Sequence, residues 1–480
     1  MRRERVMASC FVISALLVLL LPSAAAAQQA SGIAGVVRDT SGAVLPGVAV
    51  EAASPALIEK VRTGVTDGEG RFNIVDLRPG TYSVTFILAG FNTLRRDGLQ
   101  LTAGFTATVN ADLRVGALEE TITVTGSSPL VDTQNVRQQS SVSSELIEAL
   151  PSGSKGFMGI ARLVPGMNGN GDGSGASGIY SANSAHAATV HGKGGGKMAY
   201  DGMQTSNQTV LGNSSYMMNP ATVEETVVLT GAISAESDAS GLYINLVPKE
   251  GGNTFRGGTD GMYTNGDLQS DNLTDDVRSR GVTTINKVQH LYDTNFYIGG
   301  PIKRDRVWFF MATRATGSQN QVTGVYFNAT QGTPLYTPDL ERPAFRREWL
   351  RSQGQRVTWQ LSPRNKINAF ADTQSYQVRG RGQFEAPESH SVWSFWPNGL
   401  YQATWSSPVT QKFLLEAGFS FAQNGYPSTR EQSTDIFGFT VKDTDISILE
   451  SSTGSATTPE RSTKVRMIRI DTCSASRRRT

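Results

Sequence analysis

A chain of 480 residues with 44 Lys and Arg against 42 Asp and Glu has room for several domains. Its balanced charge implies neither nucleic acid nor an acidic surface as partner. Fifty glycines and 38% hydrophobic residues fit turn-rich β structure and exclude a helical membrane protein.

Arg2, Arg3 and Arg5 precede the only long apolar run, CFVISALLVLLL, which Pro22 and AAAAQQ follow. A charged start, a short apolar stretch, and Ala25 and Ala27 at the small-residue positions predict a secretory signal over 1–27. Cleavage falls between Ala27 and Gln28. The run is too short to span a bilayer as a helix. Cys10 leaves with the signal, so Cys473 stands alone and the mature chain has no intrachain disulfide. The destination lies beyond an inner membrane.

Residues 28–115 read as a compact β-sandwich of about seven short strands. In TYSVTFIL, Tyr82, Val84, Phe86 and Leu88 share one face; Phe105, Ala107, Val109, Ala111 and Leu113 alternate with polar residues over 105–114. Gly42, Pro46-Gly47, DGEG at 67–70 and RPG at 78–80 supply the turns. GVVRDTSGAVLPGVAVEA and TDGEGRFNIVDLRPGTYSVTFILAGF resemble the carboxypeptidase-regulatory-like domain. That resemblance implies a transthyretin-like accessory sandwich without catalytic residues of its own.

Residues 116–129 form a linker, and LEETITVTGSSPL at 118–130 has β-branched residues that predict an extended, unpaired strand ready to join another sheet edge. Glu119, Glu120, Thr121, Ile122, Thr123, Val124 and Thr125 resemble the energy-coupling box of TonB-dependent receptors. The resemblance implies a TonB-type energy-coupling protein in the periplasm as partner.

Residues 130–252 change character. Ser144 is placed to cap a short helix with Glu145 in its first turn, ended by Pro151. Phe157, Ile160, Ala161 and Val164 predict a second helix. Strands follow around 188–203 and 223–230. LIEALPSGSKGFMGIARLVPGM, MAYDGMQT and the stretch from Val223 to Gly257 resemble the plug domain of the same receptors, with Asp201-Gly202 at the plug turn.

Residues 253–480 hold three alternating hairpins. Tyr292, Thr294, Phe296 and Ile298 lead through GGPIKRDR into VWFFMATR. Val357, Trp359 and Leu361 alternate with Arg356, Thr358 and Gln360, then Ile367, Ala369 and Ala371 follow the turn SPRNK. Tyr401, Ala403 and Trp405 lead into Phe413, Leu415, Ala417, Phe419 and Phe421. Runs of about ten residues suit tilted bilayer-crossing strands. Short turns opposite long polar connections, expected at 317–354 and 376–398, suit a transmembrane barrel. All six Trp lie between Trp308 and Trp405, as interfacial belts require. GGPIKRDRVWFF resembles the first barrel hairpin of the receptor subgroup that carries the regulatory-like domain.

The expected fold is therefore mainly β: signal peptide, transthyretin-like β-sandwich, α+β plug domain, and the N-terminal part of an outer-membrane antiparallel β-barrel. The implied function is a receptor and transporter for a large extracellular solute of unknown identity, seated in outer-membrane lipid. The alternative is a secreted or surface-anchored β-sandwich adhesion or structural protein. A plug needs a barrel of about 22 strands, and the strand signals stop well short of that, ending in the basic tail RMIRIDTCSASRRRT. The reading is a truncated product, with a frame shift near 461–480 as one origin.

No enzyme, cofactor or metal is expected. HGKGGGKM at 191–198 has His191 and Met198 where a phosphate loop needs Gly and Ser or Thr. GNGDGSG offers only Asp172 to a calcium ion. His186, His191, His290 and His390 lack zinc spacing, and no nucleophile elbow occurs. A secreted peptidase with a regulatory module is opposed by the missing metal ligands.

Overall fold

The computed structural model describes residues 31–57, 60–116, 121–125, 138–149, 163–169, 188–192, 196–205, 216–233, 239, 241–270, 273–280, 287–330, 337–380, 387, 391–410, 413–425, 428–430, 442–443, 448–449 and 460–472. The expected signal segment with Ala27 and Gln28 lies outside the described residues. So do Glu119, Glu120 and most of the helix expected over 157–164.

The first unit is a sandwich of β1 (Ser31–Asp39), β2 (Ala49–Ala53), β3 (Val61–Val65), β4 (Arg71–Leu77), β5 (Gly80–Ile87), β6 (Thr93–Leu101), β7 (Thr106–Thr108) and β8 (Ala111–Leu113). One sheet sets β4 antiparallel and β7 and β8 parallel against β1; the other runs β3-β2-β5-β6. Period-two alternation on β5 drives Tyr82, Val84 and Phe86 into the core. There Phe86 meets Phe72 edge-on at 5.6 Å between centroids. The stretch expected as one strand over 105–114 is split. Val109 and Asn110 turn aside to bond β1, with Ala34 O accepting from Val109 N and Asn110 Oδ1 accepting from Val36 N.

The strand expected to be unpaired is paired. β9 (Thr121–Thr125) lies parallel to β6, from Thr93 opposite Thr121 to Asp97 opposite Thr125, and forms the last strand of the second sheet. The cause is the sandwich itself: β6 would otherwise leave a row of donors and acceptors unpaired, and TITVT is well suited to fill it.

The second unit comprises β10 (Gln138–Ser143), α1 (Ser144–Ala149), β11 (Met167–Gly169), β12 (Ala188–Val190), β13 (Lys197–Tyr200), β14 (Met203–Gln204), β15 (Val223–Gly231) and β16 (Tyr243–Pro248). Its main sheet is ordered β10-β15-β16-β13-β14. The cap of α1 is one residue earlier than expected: Leu146 N donates to Ser143 Oγ at 3.3 Å.

The third unit is a long antiparallel sheet. It contains β17 (Arg256–Asn265), β18 (Val288–Lys303), β19 (Val307–Asn328), β20 (Pro338–Ser362), β21 (Asn365–Arg379), β22 (Ser391–Thr410) and β23 (Phe413–Asn424), each paired with the next. A short helix, α2 (Asp275–Ser279), stands between β17 and β18. After β24 (Ser428–Arg430), β25 (Lys442–Asp443) and β26 (Ile448–Leu449), β27 (Glu460–Thr472) adds to β23. The stretch expected as a basic tail is thus partly strand.

Two expectations about this wall fail together. β19 and β20 run for 22 and 25 residues, so most of 317–354 is strand and not loop, and 376–398 is loop only between β21 and β22. The ladder continues past the apolar stretch because polar pairs sustain it, such as Trp349 Nε1 donating to Gln377 Oε1 at 3.2 Å. Apolar periodicity ends partway along these strands, but backbone pairing does not need it. Phe296, Val357, Trp359, Leu361 and Phe419 are exposed on one face, while Arg314, Arg356, Asp372 and Gln402 are buried on the other against the second unit.

Candidate functional site at the junction of sandwich, plug and wall

Asp201 and Gly202 join β13 to β14, with φ of 51° and 72°. Two successive left-handed residues make a tight hairpin turn that Gly accepts freely and Asp tolerates. Asn245 Oδ1 on β16 accepts from Gly202 N at 2.8 Å and fixes the turn. Asp201 Oδ2 then accepts from Arg356 Nη1 at 3.0 Å, across from β20.

Arg356 also donates through Nη2 to Glu250 Oε1 at 3.0 Å, two residues past the end of β16. Lys366 Nζ of β21 stands 3.6 Å from the same oxygen. The other carboxylate oxygen faces the sandwich, where Arg78 Nη2 lies at 2.5 Å. Burial alone would raise the Glu250 carboxyl; Arg78, Lys366 and Arg356 together hold it well below the usual carboxylate range. One buried anion therefore joins all three units. These groups border a cleft of about 1140 Å³ between sandwich, plug and wall.

The plug is seated on the wall by further polar contacts. Tyr216 OH donates to Asp372 Oδ2 at 2.8 Å, and Ser352 Oγ donates to Asp372 Oδ1 at 2.9 Å. Gln374 accepts from Met217 N at 3.0 Å and donates to its carbonyl at 2.6 Å. Arg314, held by Asp293 at 2.6 Å, donates to Met218 O at 3.1 Å. Tyr200 stacks on Phe370 of β21 at 4.5 Å.

The sandwich touches the plug a second time through the turn after β6. Ala103 N donates to Glu225 Oε2 at 2.9 Å, and Gln139 Nε2 donates to Ala103 O at 2.8 Å. Ala103 also packs with Val227 and Leu229 of β15. Burial raises Glu225 to about 7 against the opposing Ala103 N–H, with Glu224 adding to the rise.

Of the residues singled out in sequence, Asp201 enters this junction and Thr121–Thr125 lie apart from it on β6. Sequence reasoning missed Glu250, Arg78, Lys366 and Asp372 as partners. The available signal was a charged residue, such as Arg356 or Asp372, at an inward position of an otherwise membrane-like strand. Among the described residues no group of three or more His, Cys, Asp or Glu is arranged to hold a metal ion.

A sandwich, an α+β unit and an antiparallel wall with one exposed apolar face together make up the fold. Residues 32–114 match the family model of the carboxypeptidase regulatory-like domain. The chain is similar to the TonB-dependent transporter Oar of Myxococcus xanthus, 30% identical over 305 residues, which are 61% of this chain and 27% of that protein. It thus spans about a quarter of the length of the curated relative it matches. Among solved structures, the outer membrane transporter YddB from Escherichia coli aligns at 12% identity and TM-score 0.45 over 61% of this chain and 40% of that one. A mutant ferric enterobactin receptor (PfeA) from Pseudomonas aeruginosa aligns at 13% identity and TM-score 0.41, covering 62% and 41%.

Proposed function

We propose that the chain belongs to an outer-membrane receptor and transporter for a large extracellular solute, gated by the plug and coupled to an inner-membrane energy-transducing complex. The observation that carries the reading is the inner face of the wall. Arg314, Arg356, Asp372 and Gln374 each bond a residue of the second unit, which supports reading that unit as a separate plug packed on the wall's inner face. An outer membrane holds neither ATP nor an ion gradient, so moving such an obstruction calls for mechanical work delivered from elsewhere. Residues 118–125 are the proposed grip, where a TonB-type partner adds a strand through main-chain hydrogen bonds.

The test is a cysteine cross-link. Thr123→Cys in a Cys473→Ser background is expected to form a disulfide with a cysteine-bearing energy-coupling protein in cells. Ile122→Pro, which removes a donor and fixes φ, is expected to abolish the cross-link and solute uptake while surface level stays normal. Equal cross-linking by cysteines throughout the sandwich would refute a dedicated grip.

A further inference from the structure

Arg78 is the one member of the buried charge cluster that belongs to neither plug nor wall. Without it the cluster still balances: Arg356 and Lys366 from the wall face Asp201 and Glu250 from the plug. The sandwich supplies a third cation, and it forms an ion pair with the one Glu250 oxygen that has no hydrogen-bond partner. The Glu250 side chain is only 6% exposed and that of Arg78 22%. Withdrawing Arg78 leaves a buried carboxylate oxygen uncompensated, which is costly.

The second sandwich contact has the same form. Ala103 N bonds a buried plug carboxylate, Glu225, at 2.9 Å. Ala103 lies two residues beyond the end of β6, and β6 is the strand on which β9 lies. A displacement of β9 therefore acts on the strand that leads directly into the plug contact.

We propose that the regulatory-like sandwich is a clamp on the seated plug, holding Glu250 with Arg78 and Glu225 with the Ala103 amide, and that displacing the sandwich through β9 releases both. The release route rests on the reading of 118–125 as the coupling segment; the clamp does not.

The experiment follows amide hydrogen exchange in the full chain in detergent. Arg78→Gln is expected to speed exchange across 243–250 and 197–205 about tenfold or more, with sandwich peptides unchanged. Arg78→Lys is expected to restore most protection. Arg71→Gln, which removes ion pairs with Glu69 and Asp67 inside the sandwich, is expected to change nothing in the plug. Wild-type exchange in Arg78→Gln overturns the clamp. Faster exchange throughout the sandwich as well would mark a folding defect; the Glu250→Gln variant then decides, because Arg78→Gln must add little to it if the two act as a pair. Ile122→Pro, read by the same plug peptides, is expected to loosen them. If it does not while Arg78→Gln does, the clamp stands and the release route falls, whatever the cross-linking experiment reports about the grip.

Discussion

The sandwich and the plug are neighbouring β units that complete their cores in opposite ways. Every residue of the sandwich core, from Ile33 to Leu113, comes from the sandwich itself. The plug core instead includes Phe370 and Leu400, which belong to β21 and β22 of the wall. Its polar groups behave likewise, with the Tyr216 hydroxyl, the Asp201 carboxylate and the Met217 backbone amide bonding wall side chains. A unit that closes on itself is specified by local alternation. A unit seated in a socket is specified only together with the socket.

The largest effect that tests this contrast is separation. A fragment of residues 31–116 is expected to unfold cooperatively and give a dispersed amide spectrum, whereas 138–250 alone is expected to lack fixed tertiary packing. A dispersed spectrum from the second fragment would erase the distinction.

Next in size is Arg356→Ala, which leaves Asp201 and Glu250 buried without their shared cation. Loss of about 3–5 kcal/mol is expected at the plug seat, read as rapid proteolysis within 197–250, while the sandwich keeps its melting behaviour.

A smaller effect sharpens the link between the two units through pH. The folded Glu225 carboxyl is raised from 4.5 to about 7, chiefly by burial. The native state therefore holds a proton that the unfolded chain releases between those values. Stability from this group is present below the lower value and fades as pH rises to the upper one, by at most about 3 kcal/mol. Glu225→Gln is expected to flatten that slope in denaturant titrations at about pH 5 and about pH 8; an unchanged slope would place the titration elsewhere.

The smallest is Gly202→Ala. At φ 72° a side chain costs about 1 kcal/mol, and the loss is expected in plug exchange without change in the sandwich.

What could be read from sequence follows the same division. Tyr82, Val84 and Phe86 signalled a buried face by alternation alone, and that face is where they stand. Val357, Trp359 and Leu361 likewise signalled the exposed apolar face of β20. The pattern did not carry the strand ends, because there polar pairs such as Trp349 and Gln377 sustain the ladder and apolar periodicity disappears while pairing persists. Nor could it carry the partner of β9: TITVT announces a strand, but the vacancy it fills belongs to β6. Arg78 and Glu250 are 172 positions apart, as are no two residues of a local motif, and their bond rests on three units meeting.

The length of β20 has a consequence for whatever arrives from outside. Twenty-five residues at about 3.3 Å each reach about 80 Å, against an apolar band about 25 Å tall. On the proposed reading, even strongly tilted, a large part of the strand would extend beyond that band. On it Arg342, Arg347 and Arg351 lie over the rings of Phe327, Phe345 and Trp349 at 4.6, 5.4 and 5.6 Å. These contacts restrict their rotamers, so on the proposed reading an incoming solute would meet a preorganised surface and lose less affinity to ordering than on a flexible loop.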